Sequence, residues 1–209
     1  MGFAVFLEPE GEFAKDIQKW KKRINIVLPG QPYCSHPPHC TLIHCDVKNE
    51  QQAILKLKTI LIKSDSFSLE VDKVGIFWKD IATGGGHTLH LKIKPKSEIY
   101  DLQLKIAKIL RPLVTSNQIP DYIYDNSVLK ESFVSYGFPF VGSHWIPHFT
   151  IASLITNRTH PIITDFMQWK PLYIMNWFNI SFWHIDDEHH TRLDKQLLKI
   201  EKKIQMKQD

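Results

Sequence analysis

Two short stretches, about half a chain apart, constrain this protein more than its composition does. Residues 37–47 read PPHCTLIHCDV and residues 146–154 read IPHFTIASL. Each sets a proline, a histidine, a variable residue, a threonine and an aliphatic residue in that order. His39 and His148 stand 109 positions apart in a chain of 209 residues, which implies a duplicated unit. In a strand, residues i and i+2 share a face, so His39 lies with Thr41, and His148 with Thr150, roughly 6.5–7 Å apart along the chain. Cys40, Leu42, Phe149 and Ile151 then take the opposite, core-facing side. Two imidazoles and two hydroxyls are left facing outward, and a pseudo-twofold arrangement would place them on the walls of one cleft.

The surrounding pattern supplies the rest of a mixed fold. Residues 3–7 are apolar and strand-like, and Phe13, Ile17, Trp20 and Ile24 recur at helical spacing. Residues 28–38 hold five prolines and glycines and predict a loop. Asn49 can cap a helix carrying Ala53, Leu57, Ile60 and Leu61 on one face. Residues 67–78 and 87–94 predict a hairpin closed by TGGGH, read as a mobile turn. Ser97 can cap a third helix. Thr159 can cap another, with Pro161 in its first turn. Residues 177–185 predict a strand. Leu193, Leu197, Ile200 and Ile204 predict a terminal helix over about 191–207. The expectation is one α+β domain over 1–209, with a long, aromatic-rich, irregular insertion over about 111–145.

Composition narrows the setting. Hydrophobic residues make up 43% and charged residues 23%, as in globular chains. No apolar run reaches 18 residues and the N-terminus lacks a basic lead, so no membrane span or secretion signal is expected. Three cysteines (Cys34, Cys40, Cys45) fit a reducing, cytoplasmic setting. A net charge of +4 suits an anionic ligand without demanding one. A monomer is expected.

Paired imidazoles and hydroxyls suit phosphoryl chemistry without a metal. Imidazole titrates near pH 6.5, so one ring can accept a proton while the other donates one. Threonine hydroxyls can donate to the non-bridging phosphate oxygens. With the strand order around them, the two His-x-Thr motifs resemble those of the 2H phosphoesterase superfamily. That superfamily includes RNA 2′,3′-cyclic phosphodiesterases once called 2′-5′ RNA ligases. The resemblance covers about residues 3–185 and implies a bilobal, duplicated fold, with two antiparallel sheets flanking a central cleft and helices outside. It implies catalytic roles for His39 and His148, phosphate binding by Thr41 and Thr150, and no cofactor. The implied reaction is cleavage of a nucleotide or RNA 2′,3′-cyclic phosphate or of a 2′,5′-phosphodiester. The substrate is then a nucleotide, an oligonucleotide or an RNA end. The second motif continues into Ala152, Ser153 and Leu154 rather than a basic residue, which leaves the substrate open. Degradation of signalling oligonucleotides (2′,5′-oligoadenylate or cyclic species) is one alternative. A non-catalytic nucleotide- or RNA-binding module is another.

Other residues invite readings of their own. Tyr136, Phe138 and Trp145 precede the second motif and could stack a base. His87 and His90, three apart on a strand, face opposite ways and read as strand-edge residues rather than metal ligands. Residues 184–190 (HIDDEHH) read as a solvated loop. Cys34, His36, Cys40 and His44 lack the spacing of a zinc site. TGGGH lacks the lysine and following helix of a phosphate-binding loop.

Overall fold

The computed structural model describes residues 2–61, 67–115, 118–186, 190–194 and 198–201. Its elements are β1 (Gly2–Glu8), α1 (Gly11–Val27), β2 (Cys40–Cys45), α2 (Glu50–Leu61), β3 (Leu69–Asp80), β4 (Gly86–Ile93), α3 (Ser97–Leu110), α4 (Ser127–Tyr136), β5 (His148–Leu154), α5 (Pro161–Gln168), β6 (Tyr173–Met175), β7 (Trp177–Ile185), β8 (His190–Arg192) and β9 (Leu198–Glu201). They form two antiparallel sheets. The first runs β2-β1-β7-β8, with β9 also on β7, and the second runs β5-β4-β3-β6. Each sheet has one apolar face. Phe3, Val5 and Leu7 of β1, and Leu89, Leu91 and Ile93 of β4, join one continuous core with Ile17 of α1, Leu57 of α2, Ile106 of α3 and Phe166 of α5. The opposite faces carry the two motifs.

The halves share a construction. In each, a strand, a helix and a motif strand follow in order: β1-α1-β2 and β4-α3-β5. In each, the register slips by one residue beside the motif threonine. Val5 faces Ile43 but Phe6 faces Thr41, and Leu89 faces Ala152 but His90 faces Thr150. Leu42 and Ile151 are the extra residues of these two bulges. A bulge adds twist and lets consecutive side chains turn inward, so Leu42 and Ile43 are both buried, as are Ile151 and Ala152.

A seam joins the halves along the outer edge of β5. Lys21, only 5% exposed, donates from Nζ to the carbonyls of Tyr33 (2.6 Å) and Ile151 (2.8 Å). The Ser153 N–H donates to Pro32 O at 3.0 Å, and the Ile155 N–H to Gln31 Oε1 at 2.7 Å. The strand edge is thereby satisfied, and the loop that delivers His39 is fastened to the strand that carries His148.

Several expectations need correction. The long insertion is not irregular throughout: Asn126 accepts from the Leu129 N–H, Gly137 closes the helix in the left-handed region, and α4 runs between them. Gln103 of α3 pins the following stretch, donating to Phe140 O at 2.6 Å and accepting from the Gly142 N–H at 2.9 Å. The terminal helix over 191–207 is replaced by β8 and β9 where the chain is described. β7 still offers an open edge after pairing with β1, and short strands with unmet backbone groups are captured there. Residues 195–197 and 202–209 lie outside the described residues. Finally, the TGGGH turn is tied down. Asp80 accepts from the Ala82 N–H and from Thr88 Oγ1, while Thr83 Oγ1 lies 2.7 Å from Ser153 Oγ. The expected caps Ser97 and Thr159 each lie one residue off, at Lys96 and His160, whereas Asn49 accepts from the Gln52 N–H as expected. No described helix is long and apolar enough to cross a membrane.

Candidate active site

His39 ends the loop leading into β2, and His148 opens β5. Both rings are half-buried and both are held in the same way. His39 Nδ1 lies 2.8 Å from Pro37 O, and His148 Nδ1 lies 2.6 Å from Ile146 O. A carbonyl only accepts, so each Nδ1 carries the hydrogen and each neutral ring presents its lone pair on Nε2. The carbonyl two residues upstream is available because the chain enters each strand through a proline-containing segment. Thr41 and Thr150 are half-buried on the same faces as their histidines.

The two motifs are spatial neighbours. Cys40, the residue after His39, is buried with its thiol against the backbone N–H of His148. Pro147 turns its carbonyl inward to the Ile93 N–H of β4, so the His148 N–H is left to point outward at β2. The two motif strands are therefore in contact at Cys40 and His148, with His39, Thr41, His148 and Thr150 each half-buried.

Their immediate neighbours differ. Phe6 stacks nearly parallel over His39 at 3.9 Å between ring centres, with His190 and His36 beyond it. On β4 the corresponding position holds His90, whose ring meets His148 edge-on at 5.2 Å and stacks on Phe77 at 3.9 Å. His90 is 1% exposed, donates from Nδ1 to Thr88 O at 3.2 Å, and leaves Nε2 without a hydrogen-bond partner among the described residues. β4 is flanked on both sides, so His90 is no strand-edge residue. Phe6, and the place of His90 beside His148, are not readable in the sequence, because only the cross-strand register reveals them. Within residues 184–190, His184 and His190 likewise belong to β7 and β8 rather than to a loop.

Burial lowers the basicity of His39, His148, His90, His36 and His190. His39 is pushed down to about 3, chiefly by desolvation, against a raising contribution from the Pro37 carbonyl. His148 is also lowered by burial, with the Ile146 carbonyl and Asp80 opposing. His90 is lowered to about 3 and His36 to about 4, again mainly by burial. The free site thus favours two neutral rings.

Glu8 lies on the cleft face of β1, 8% exposed. It accepts from Ser181 Oγ at 2.6 Å, from Trp183 Nε1 at 3.2 Å and from Arg192 at 2.7 Å to each carboxylate oxygen. Its charge is fully engaged. Among the described residues, no three His, Cys, Asp or Glu side chains converge as a metal site would require.

Of the three aromatics expected to stack a base, Trp145 is enclosed, and Tyr136 and Phe138 are half-buried. Trp145 is 5% exposed, belongs to the apolar core and meets Tyr100 of α3 edge-on at 5.8 Å. Tyr136 and Phe138 pack against the same core. In this structure Trp145 has no free face for a base, because Gln103 draws the whole stretch onto α3.

Residues 9–187 match the 2′-5′ RNA ligase superfamily. No curated protein sequence matches the chain significantly. Among solved structures, TT0787 of Thermus thermophilus is similar at 13% identity and a TM-score of 0.55, covering 96% of this chain and 98% of its own. E. coli LigT in apo form is similar at 13% identity and a TM-score of 0.54, covering 94% and 96%. E. coli LigT complexed with 3′-AMP is similar at 14% identity and a TM-score of 0.50, covering 94% and 96%. Two sheets in this order, each contributing one of two matched motifs over most of the chain, have a single consistent family assignment: the chain belongs to the 2′-5′ RNA ligase superfamily of 2H phosphoesterases.

Proposed function

We propose that this chain is a phosphodiesterase acting on a 2′,3′-cyclic phosphate of a nucleotide or RNA end, or on a 2′,5′-linkage, through acid–base work by His39 and His148. One observation carries the reading. Two imidazoles on adjoining strands each have Nδ1 committed to a main-chain carbonyl, which reserves both Nε2 atoms for proton transfer. With a cyclic phosphate, one ring takes a proton from water as its oxygen attacks phosphorus. The bond from phosphorus to one ribose oxygen breaks, and the other ring, protonated, supplies that oxygen with a proton. With a 2′,5′-linkage, the adjacent 3′-hydroxyl attacks instead, the 5′-oxygen leaves, and a cyclic phosphate remains. Thr41 and Thr150 donate hydrogen bonds to the non-bridging oxygens as charge develops there. The 3′-AMP held by the structurally similar LigT is of the same chemical class as such a product.

Neither transfer calls for a metal, since both proton carriers are side chains. The test is turnover, in EDTA, of 2′,3′-cyclic mononucleotides, an RNA with a cyclic end, and 2′,5′- and 3′,5′-linked adenylates, with His39→Ala and His148→Ala alongside. Turnover of one class, lost in both variants, is expected. Turnover that survives in both variants, or vanishes with EDTA, would overturn the proposal.

A further inference from the structure

The cleft face of the second sheet carries a row of cations that the chemistry at His148 does not use. Lys92 of β4 stands directly opposite His148 of β5, and Lys73 of β3 stands directly opposite Lys92. Directly opposed residues share a face, so Lys73, Lys92 and His148 form one lateral row spanning about 10 Å of backbone. Both lysines are exposed. The end of the Lys92 stem crosses Gly75: a Cβ there would lie 2.8 Å from Lys92 Cε and 2.4 Å from His90 Nε2. A glycine at this point is what lets the lysine and the imidazole lie flat on the cleft floor.

Two like charges set directly opposite each other destabilise a sheet. The neighbouring lysines avoid that cost, because Lys94 and Lys96 both pair with Glu70 at 3.0 and 2.8 Å. Among the described residues no carboxylate pairs with Lys73 or Lys92. The matching row of the first sheet is built otherwise, with Asn179 opposite Glu8 and Glu8 neutralised by Arg192. Among the described residues the two matching rows thus differ: that of the second sheet sets two lysines without a carboxylate partner in line with His148, and that of the first sheet sets none.

We propose that Lys73 and Lys92 hold a phosphate of the nucleic-acid strand beyond the scissile group, so that the preferred substrate is an oligonucleotide whose chain runs over the second sheet rather than a mononucleotide. This rests on the phosphodiesterase reading for its reaction, but the binding it asserts can be measured separately. The strand's second phosphate supplies the anion that the lysine pair lacks, and a mononucleotide with a single cyclic phosphate does not.

Two measurements separate the claims. The first compares kcat/KM for cytidine 2′,3′-cyclic phosphate with that for a diribonucleotide ending in the same cyclic phosphate, in wild type, Lys73→Gln, Lys92→Gln and Lys94→Gln. The expected result is a wild-type preference for the diribonucleotide. That preference falls roughly tenfold on losing a charge-assisted phosphate contact and is unchanged in Lys94→Gln. The second is binding of a labelled DNA tetranucleotide, which lacks the 2′-hydroxyl needed for a cyclic phosphate, across a salt series. The slope of log affinity against log salt should flatten by about 0.7 for each lysine lost. The melting temperature of Lys73→Gln should hold or rise, because the substitution relieves repulsion. Turnover with no preference for the diribonucleotide, or a slope unmoved by both substitutions, would overturn this inference and leave the function standing. Lysine-dependent binding without turnover of any substrate would do the reverse.

Discussion

The two sheets are built alike and furnished differently. Each has a motif histidine fixed through Nδ1 to a carbonyl two residues upstream, and each has a bulge at the residue after the threonine. In the first sheet, however, His39 lies under the face of Phe6, and the nearby carboxylate of Glu8 is locked to Arg192. In the second, His148 meets the edge of another imidazole and stands in line with two lysines. Backbone duplication sets where the two histidines sit. The cross-strand neighbours set how tightly each one holds its proton. His39 lies against a phenyl ring and is lowered to about 3, and His148 in its mixed surroundings is lowered by burial as well, so both rings favour the neutral form.

Removing either histidine tests the likeness most severely. His39→Ala and His148→Ala should each lower kcat by about 10²–10⁴-fold. A variant that keeps most of its activity would show that only one half performs acid–base work. The seam comes next. Lys21→Met leaves the Tyr33 and Ile151 carbonyls without their donor, which should cost about 1–3 kcal/mol in denaturant unfolding. It should also lower kcat more than it raises KM, because the two motifs lose their shared anchor.

The pH profile sharpens the contrast without any substitution. The proposed acid–base mechanism needs a neutral base and a protonated acid, so on that mechanism kcat/KM should peak between the two free-enzyme pKa values. Burial lowers His39 to about 3 and lowers His148 from its ordinary value. The peak therefore falls on the acid side of pH 6.5. The bound phosphate anion raises both rings, so kcat should peak at higher pH than kcat/KM. A kcat/KM optimum above pH 7.5 would show that the rings are far better solvated than this geometry allows. The smallest effect belongs to Phe6→Leu, which should raise the His39 pKa, read by NMR titration, while leaving that of His148 in place. Equal movement of both would break the assignment of separate surroundings.

Much of this was legible in the chain itself. Two copies of His-x-Thr on apolar strands marked both motif strands, and strand alternation separated the half-buried histidines and threonines from the buried Cys40, Leu42, Phe149 and Ile151. Register was not legible. Phe6 and His90 matter because they stand opposite Thr41 and Thr150, and nothing in either strand's own pattern announces its partner. The helix α4 was missed although Asn126 and Gly137 mark its ends, because it buries only Ser132 and Phe133 and so shows little periodic apolar signal. The terminal segment erred the other way. Leu193, Leu197 and Ile200 do recur at helical spacing, but the open edge of β7 competes for the same backbone groups and wins over residues 190–192 and 198–201. Trp145 looked like a stacking surface because aromatic residues near a phosphate site suggest bases, whereas its position was decided by Gln103, more than forty residues earlier in the chain.

The seam along β5 has a consequence for descent. Every bond of the seam has a main-chain atom as at least one partner, from the carbonyls of Pro32, Tyr33 and Ile151 to the N–H groups of His148, Ser153 and Ile155, and the side chains that meet them, Lys21, Gln31 and Cys40, belong to α1, its following loop and the core rather than to the cleft floor. Main-chain atoms are the same whatever residue bears them. Side chains on the cleft floor can therefore be exchanged freely, lysine for glutamate or phenylalanine for histidine, while the working distance passes unaltered from ancestor to descendant. A chain with 13% identity to LigT can then keep the frame and change what lies in it.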